Sequence, residues 1–203
     1  MAHTNTVIGI LGLQGDFDAH RRMLEERVGV ATREVRTTID LDAVSGLVLP
    51  GGESTTIAKL MDRVGLDCAI RKRAESGMPI YGTCAGLILL AKEIEGRPDQ
   101  PSLKLMDVRV ARNAFGRQVD SFEADIPLEV PGSGATEVHG VFIRAPYVTQ
   151  TGRGVEVLGR FRDRIVAVRQ GSLLGTAFHP ELTADARIHA LFARMVAESG
   201  ENG

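Results

Sequence analysis

The sequence has no tryptophan, two tyrosines and seven phenylalanines, so aromatics make up 4% of its 203 residues. That is too few to expect a platform on which nucleic-acid bases stack. An excess of one charge is also lacking. The chain has 24 Lys and Arg against 26 Asp and Glu, a formal net charge of -2. This argues against partners held mainly by charge, such as nucleic acid or an acidic membrane surface. The densest basic cluster, Arg71-Lys72-Arg73, reads as a solvated helix face. No apolar run is long enough to span a bilayer. The start, Met1-Ala2-His3-Thr4-Asn5-Thr6, lacks the basic-then-apolar order of a signal peptide. Cysteine is scarce, with only Cys68 and Cys84. A chain of this size needs no disulfide, so free thiols in a reducing, cytoplasmic setting are expected.

What is present is a globular composition, 43% hydrophobic and rich in glycine, with 23. Length predicts one domain over residues 1–203, with 1–6 and 199–203 as mobile termini. Val7-Ile8-Gly9-Ile10-Leu11 reads as a buried strand, followed by a turn at Gly12 to Gly15 and a helix over about Asp16–Arg27. Gly46 to Leu49 is a second strand, stopped by Pro50-Gly51-Gly52. Ser54 or Thr55 can cap the next helix, whose Ile57, Leu60, Met61 and Val64 share one face. Pro79-Ile80-Tyr81 is a third strand, and Leu87, Leu90, Ala91 and Ile94 form a stripe on the helix after it. Alternating strands and helices predict a parallel sheet covered on both faces.

From about Leu105 to Leu174 the pattern changes to β segments with short turns. These are Val108–Val110, Ser121–Val130, Val141–Ile143, Val155–Phe161 and a hairpin around Gln170-Gly171. A mixed or antiparallel extension of the sheet is expected there. A last helix over about Ala184–Glu198 carries Ile188, Leu191, Phe192, Met195 and Val196 on one face. Gly96 to Pro101 and Pro131 to Gly134 read as loops.

Three places carry chemistry. Gly82-Thr83-Cys84-Ala85-Gly86, between a strand and a helix, has the form of a nucleophile elbow with Cys in place of Ser. Its glycines suit a turn too sharp for side chains, and the helix dipole at Cys84 favours negative charge. The Ala85 amide is then free to meet an oxyanion. The alternative is a buried structural cysteine. Of the five histidines, His3 lies in the expected mobile terminus. His20 and His189 read as surface residues on helices, and His139 stays ambiguous. His179 ends a strand, where the active sites of parallel sheets gather, and Glu181 two residues on is placed to orient its ring. The third place, Pro50 to Thr56, joins a strand to a helix. It lacks the Lys-Ser/Thr ending of a phosphate loop, so its paired glycines suit close backbone approach to a small carbonyl compound. Cys68 has no companion at ligand spacing, so no metal site is expected.

Cys84 in Gly-Thr-Cys-Ala-Gly, together with His179-Pro180-Glu181, resembles the class I, triad-type glutamine amidotransferases. Further motifs narrow the resemblance to the glutaminase subunits of pyridoxal 5'-phosphate synthase. They are Leu11-Gly12-Leu13-Gln14-Gly15, Leu49-Pro50-Gly51-Gly52-Glu53-Ser54-Thr55-Thr56 and the run from Arg112 through Gln118. Val119-Asp120-Ser121-Phe122-Glu123, Phe142-Ile143-Arg144-Ala145-Pro146 and Phe178-His179-Pro180-Glu181-Leu182-Thr183 complete the set. The likeness runs from about Val7 to Val196, with Ala114 where the family often has Ser and a variable segment around Arg97 to Ser102.

The resemblance implies a three-layer α/β/α, flavodoxin-like fold with a mixed central sheet. It implies Cys84 as nucleophile, His179 as general base and acid, and Glu181 as its orienter. Gly52, Glu53, Ser54, Arg112, Ile143 and Arg144 then match positions that hold glutamine. Arginines suit a carboxylate, although Arg112 and Arg144 read by themselves as ordinary surface residues. Backbone amides of Gly51, Gly52 and Ala85 form the oxyanion hole, and Gln14 lies in a loop that meets a synthase partner. The implied activity is hydrolysis of L-glutamine to glutamate and ammonia through a γ-glutamyl thioester, with no metal or organic cofactor. The ammonia passes to the synthase subunit, whose ring-shaped core the glutaminase subunits decorate and without which they are poorly active. Two other readings stay open: a glutaminase serving another acceptor, and a non-catalytic ligand-binding module on the same fold.

Overall fold

The structure, a computed structural model, describes residues 6–112, 121–131 and 134–201. Residues 113–120 of the Arg112–Glu123 motif stretch, Ala114 among them, lie outside the described residues, as do 1–5, 132–133 and 202–203.

Four strands form the parallel half of the sheet: β1 (Val7–Leu11), β2 (Ala31–Val35), β3 (Gly46–Leu49) and β4 (Ile80–Thr83). β1, β3 and β4 are nearly continuous apolar runs, as strands buried on both faces require. β2 is different. Only Val35 of its five residues is buried, because β2 is the edge strand beside β1. That charged edge carries no apolar run and escapes a reading based on hydrophobicity. So does the short α2 (Thr38–Asp42), which is held by a capping box between Thr37 and Asp40.

α1 (Phe17–Arg22) continues as a π-helical stretch over Met23–Val28. α3 (Ser54–Arg63) buries Ser54, Ile57, Ala58 and Met61, while Val64 is exposed, so the buried stripe is rotated from the expected one. The cap also differs: Glu53, not Ser54 or Thr55, accepts the Thr55 N–H. α4 (Leu66–Glu75) holds the basic cluster, which is more than a solvated face. Arg71 donates to the carbonyls of Ser102 and Leu103, and Arg73 to those of Leu41 and Val44.

The helix after β4 is shorter than its stripe suggests. α5 (Ala85–Leu90) stops where the amides of Leu103 and Leu105 take the Leu89 and Leu90 carbonyls. Ala91–Ile94 then becomes β5. Leu87, Leu90, Ala91 and Ile94 are all buried, but they belong to two elements.

The second half of the sheet comprises β6 (Met106–Ala111), β7 (Ser121–Val130), β8 (Gly134–Ile143), β9 (Tyr147–Thr151), β10 (Glu156–Phe161), β11 (Arg164–Gln170) and β12 (Leu173–Thr176). The expected mixed sheet is present, in the order β2-β1-β3-β4-β12-β11-β10-β7-β8. β12 is the join: it runs parallel to β4 and antiparallel to β11. β5, β6 and β9 form a branch attached to β11. α6 (Arg187–Glu201) closes the chain, starting later and ending later than expected.

Helices cover both faces. Neighbouring strand residues point to opposite sides. On β4, the Tyr81 ring lies 5.6 Å from Phe192 of α6, while a Cβ on Gly82 would run into the backbone of α5. The antiparallel half is held by an aromatic cluster. Phe142 stacks on Phe122 at 4.5 Å and packs against Phe161 and Phe178. No helix among the described residues is long and apolar enough to cross a membrane.

Phe142 is fully buried at the centre of that cluster. Phe142→Ala should cost about 3–5 kcal/mol of stability. Urea unfolding measures it, and a loss below about 1 kcal/mol would show that the cluster does not hold the antiparallel half together.

Candidate active site

The parallel pairing of β4 with β12 aligns Thr83 with Thr176, so the segments that follow leave the same edge of the sheet. Cys84 comes directly after β4. Its backbone is in a left-handed region, φ 47 and ψ -100, a strained conformation for an L-residue that costs about 1–3 kcal/mol. The surroundings enforce it. The Cys84 N–H donates to the Thr176 carbonyl at 2.8 Å, and the chain must then turn at once into α5. Both elbow glycines are needed for close approach. A Cβ on Gly86 would sit 2.1 Å from the Leu49 oxygen, and one on Gly82 2.5 Å from the Gly86 carbonyl carbon.

His179 follows β12 after two residues. Its backbone N–H donates to the Val141 carbonyl at 2.8 Å, which ties it to β8. Its Nδ1 is 2.7 Å from Glu181 Oε1. Pro180 opens a single 3₁₀ turn, Pro180–Leu182, that returns the carboxylate to the ring. The imidazole packs closely against the loop after β3, where a Cβ on Gly51 would lie 2.3 Å from His179 Cε1. Burial pulls the basicity of His179 down. Hydrogen bonding to Cys84 and Glu181 outweighs it and pushes the ring from 6.5 to about 10. Burial alone would raise the Glu181 carboxyl, but His20 and His179 hold it well below the usual carboxylate range.

A cavity of about 360 Å³ opens beside this pair, a size suited to a small ligand. Cys84, Ala85 and His179 line one side, and Gly51, Gly52, Glu53 and Ser54 another. Gln14, Arg112, Ile143 and Arg144 complete the expected residues around it, while Glu181 stands behind His179. Glu53 Oε1 accepts from Thr55 and from Arg112 Nη2, the latter at 3.1 Å. Arg112 Nη1 also donates to Gln100 Oε1, and Gln100 Nε2 donates to the buried Ser54 hydroxyl. Gln100, inside the segment read as a plain loop, therefore braces the cavity wall. Nothing in its local pattern marks it. Gln14 Oε1 accepts the Glu53 N–H at 2.9 Å and so links the loop after β1 to the loop after β3. Arg144 adopts φ 43 at the end of β8, and the Ile143 carbonyl lies 3.8 Å from Cys84 Sγ.

Two histidines correct the surface reading. His20 and His189 are fully buried. His20 Nε2 is 3.2 Å from Thr83 Oγ1 and 3.4 Å from Glu181 Oε1, and His20 Nδ1 is 2.9 Å from His189 Nε2. A signal was available. His20 lies three residues after Phe17 and four before Leu24, and His189 lies three before Phe192 and seven before Val196. Both positions fall on the apolar stripes of their helices. His139 sits on β8 between Asp125 and Glu123, four residues before Ile143, and does not line the cavity. Among the described residues, no group of three or more His, Cys, Asp or Glu is disposed to hold a metal ion.

Comparison with known proteins reaches the same elements. The model of the SNO glutamine amidotransferase family matches residues 10–198. A pyridoxal 5'-phosphate synthase subunit PdxT from Moorella thermoacetica is 53% identical over 93% of this chain and 98% of its own length. The subunit of the same name from Frankia alni is 55% identical over 95% of this chain and 96% of its own. A crystal structure described as a glutamine amidotransferase superposes with a TM-score of 0.87 at 51% identity, covering 94% of this chain and 98% of that one. β4 and β12, which present Cys84 and His179, lie inside the matched residues 10–198, and the chain belongs to the SNO glutamine amidotransferase family.

Proposed function

We propose that the chain is the glutaminase subunit of a pyridoxal 5'-phosphate synthase, a single glutaminase domain with a Cys84-His179-Glu181 triad. The observation that carries this reading is the convergence of a strained elbow cysteine and a carboxylate-backed histidine on one small cavity. The names of the relatives supply the partner class, a pyridoxal 5'-phosphate synthase subunit. The reading includes a ring-shaped synthase core, the cytoplasm as its setting, and a part in the lyase activity of the whole complex.

In this mechanism the Cys84 thiolate, paired with the His179 imidazolium, attacks the side-chain amide carbon of glutamine. The carbonyl electron pair moves onto oxygen, which meets the Ala85 amide and the Gly51-Gly52 backbone. The C–N bond then breaks, and the His179 imidazolium gives its proton to the departing ammonia. A γ-glutamyl thioester remains on Cys84. Water, losing a proton to His179, attacks the thioester and releases glutamate. Arg112 and Arg144 receive the α-carboxylate of glutamine, and Glu53, with Gly52, Ser54 and Ile143, completes the hold on it. Gln14 serves as the partner-contact residue. Because it already grips the Glu53 amide, a partner that moves Gln14 also acts on the cavity loop.

Glutamate release by the chain with its synthase subunit tests the proposal. Cys84→Ala should abolish release by at least about 10³-fold, and full activity in that variant would sink the triad. The pH profile gives a second check. The imidazolium is the form that protonates ammonia. A ring raised from 6.5 to about 10 keeps its proton through neutral pH and loses it as pH rises through about 10. The rate should therefore hold to about pH 9 and fall near 10. Glu181→Gln removes one of the two supports of that charge, so the falling limb should move to lower pH.

A further inference from the structure

Behind Glu181 lies a buried layer that hydrolysis, as described, does not use. It draws on three elements: His20 from α1, His189 from α6 and Thr83 at the end of β4. All three are fully buried, and neither histidine lines the substrate cavity. The distances form a chain. His189 Nε2 is 2.9 Å from His20 Nδ1. His20 Nε2 is shared between Thr83 Oγ1 at 3.2 Å and Glu181 Oε1 at 3.4 Å. Glu181 Oε1 is in turn 2.7 Å from His179 Nδ1.

The order of protons along this chain follows from its far end. Among the described residues, His189 Nδ1 has no hydrogen-bond partner. A buried N–H without an acceptor is rarer than a buried lone pair without a donor. The single proton of a neutral His189 therefore belongs on Nε2, where it points at His20 Nδ1. His20 Nδ1 is then the acceptor, and the His20 proton sits on Nε2, facing Glu181. The reverse order would fail twice. It would leave an orphan N–H on His189 and set a lone pair of His20 against the carboxylate.

We propose that His20 and His189 are positioning residues for the triad: His189 fixes the tautomer of His20, and His20 gives Glu181 a second imidazole N–H, so that the buried carboxylate stays ionised and its Oε1 stays directed at His179. This rests on the glutaminase reading of the site. Burial drives His189 down to about 3, which keeps it neutral, as an element acting through its tautomer must be. The other groups around Glu181 are few. The Tyr81 phenol on β4 hydrogen-bonds Thr176 instead. Arg22, Glu26 and Arg27, from α1 and the π-helical stretch after it, line a separate cavity that Glu181 borders. Glu181 Oε2 has no partner among the described residues, so Oε1 carries both imidazole contacts.

Two measurements test this. In the first, ¹⁵N-detected imidazole spectra of the full chain assign tautomers at neutral pH. His189 should carry its single proton on Nε2, and the Nε2 of His20 should be protonated, with Nδ1 as the acceptor. A proton on Nδ1 of either ring would overturn the relay, and this readout needs neither activity nor a variant. In the second, glutamine hydrolysis by the chain with its synthase subunit is followed from pH 5 to 10 for wild type, His20→Gln and His20→Leu. His20→Leu should lower kcat by about 10–100-fold, with KM little changed and the acid limb moved to higher pH. His20→Gln, which keeps an N–H donor, should recover most of the rate and the wild-type limb. Equal losses in both folded variants with an unmoved limb would reduce His20 to a packing residue. An inactive wild-type complex would instead sink the glutaminase reading, and the spectra would still decide the proton order.

Discussion

The site depends on one pairing. β4 and β12 lie parallel, in register from Ile80 with Leu173 to Thr83 with Thr176. Cys84 and His179 are 95 positions apart in the chain, a separation that this pairing closes. β12 also changes the sense of the sheet, since its other neighbour, β11, is antiparallel. The parallel half supplies the elbow and the loop after β3, and the antiparallel half supplies the wall at Ile143 and Arg144. One short, fully buried strand, Leu173-Leu174-Gly175-Thr176, joins the two.

Electrostatics follow from that geometry. A carboxylate as buried as Glu181 is costly unless it is paired and hydrogen-bonded. Among the described residues, Glu181 is met by two imidazoles: His179 at 2.7 Å on the side of the cavity and His20 at 3.4 Å on the side of α1. The strained backbone of Cys84 is held in a similar way, by a ladder bond to Thr176 on one side and close packing of α5 on the other. In both cases an unfavourable local state persists because rigid elements surround it.

Much of this was legible in the chain itself. The strand runs at Val7–Leu11, Gly46–Leu49 and Ser121–Val130, the hairpin near Gln170, and the Gly-x-Cys-x-Gly turn all stand in short-range patterns of apolar residues and glycine. The residues expected around glutamine do meet at one cavity. What escaped lacked such patterns or followed them misleadingly. β2 and β9 each bury a single residue. The stripe from Leu87 to Ile94 is periodic like a helix, yet it is cut by amides that arrive from Leu103 and Leu105. Gln100 gains its place only through partners at Ser54 and Arg112. His20 and His189 look like surface residues by their polarity, yet both lie on the apolar stripes of their helices and are buried.

β8 does two things at once. Its end presents Ile143 and Arg144 to the cavity, and two residues earlier the Val141 carbonyl holds the backbone of His179. The wall that feels the ligand and the anchor of the histidine are therefore one rigid body. A substitution that tilts the strand to admit a different molecule also displaces the base that would act on it. Evolution along this hairpin is constrained accordingly: selectivity and reactivity are inherited as a single trait, and a lineage cannot explore one while holding the other fixed.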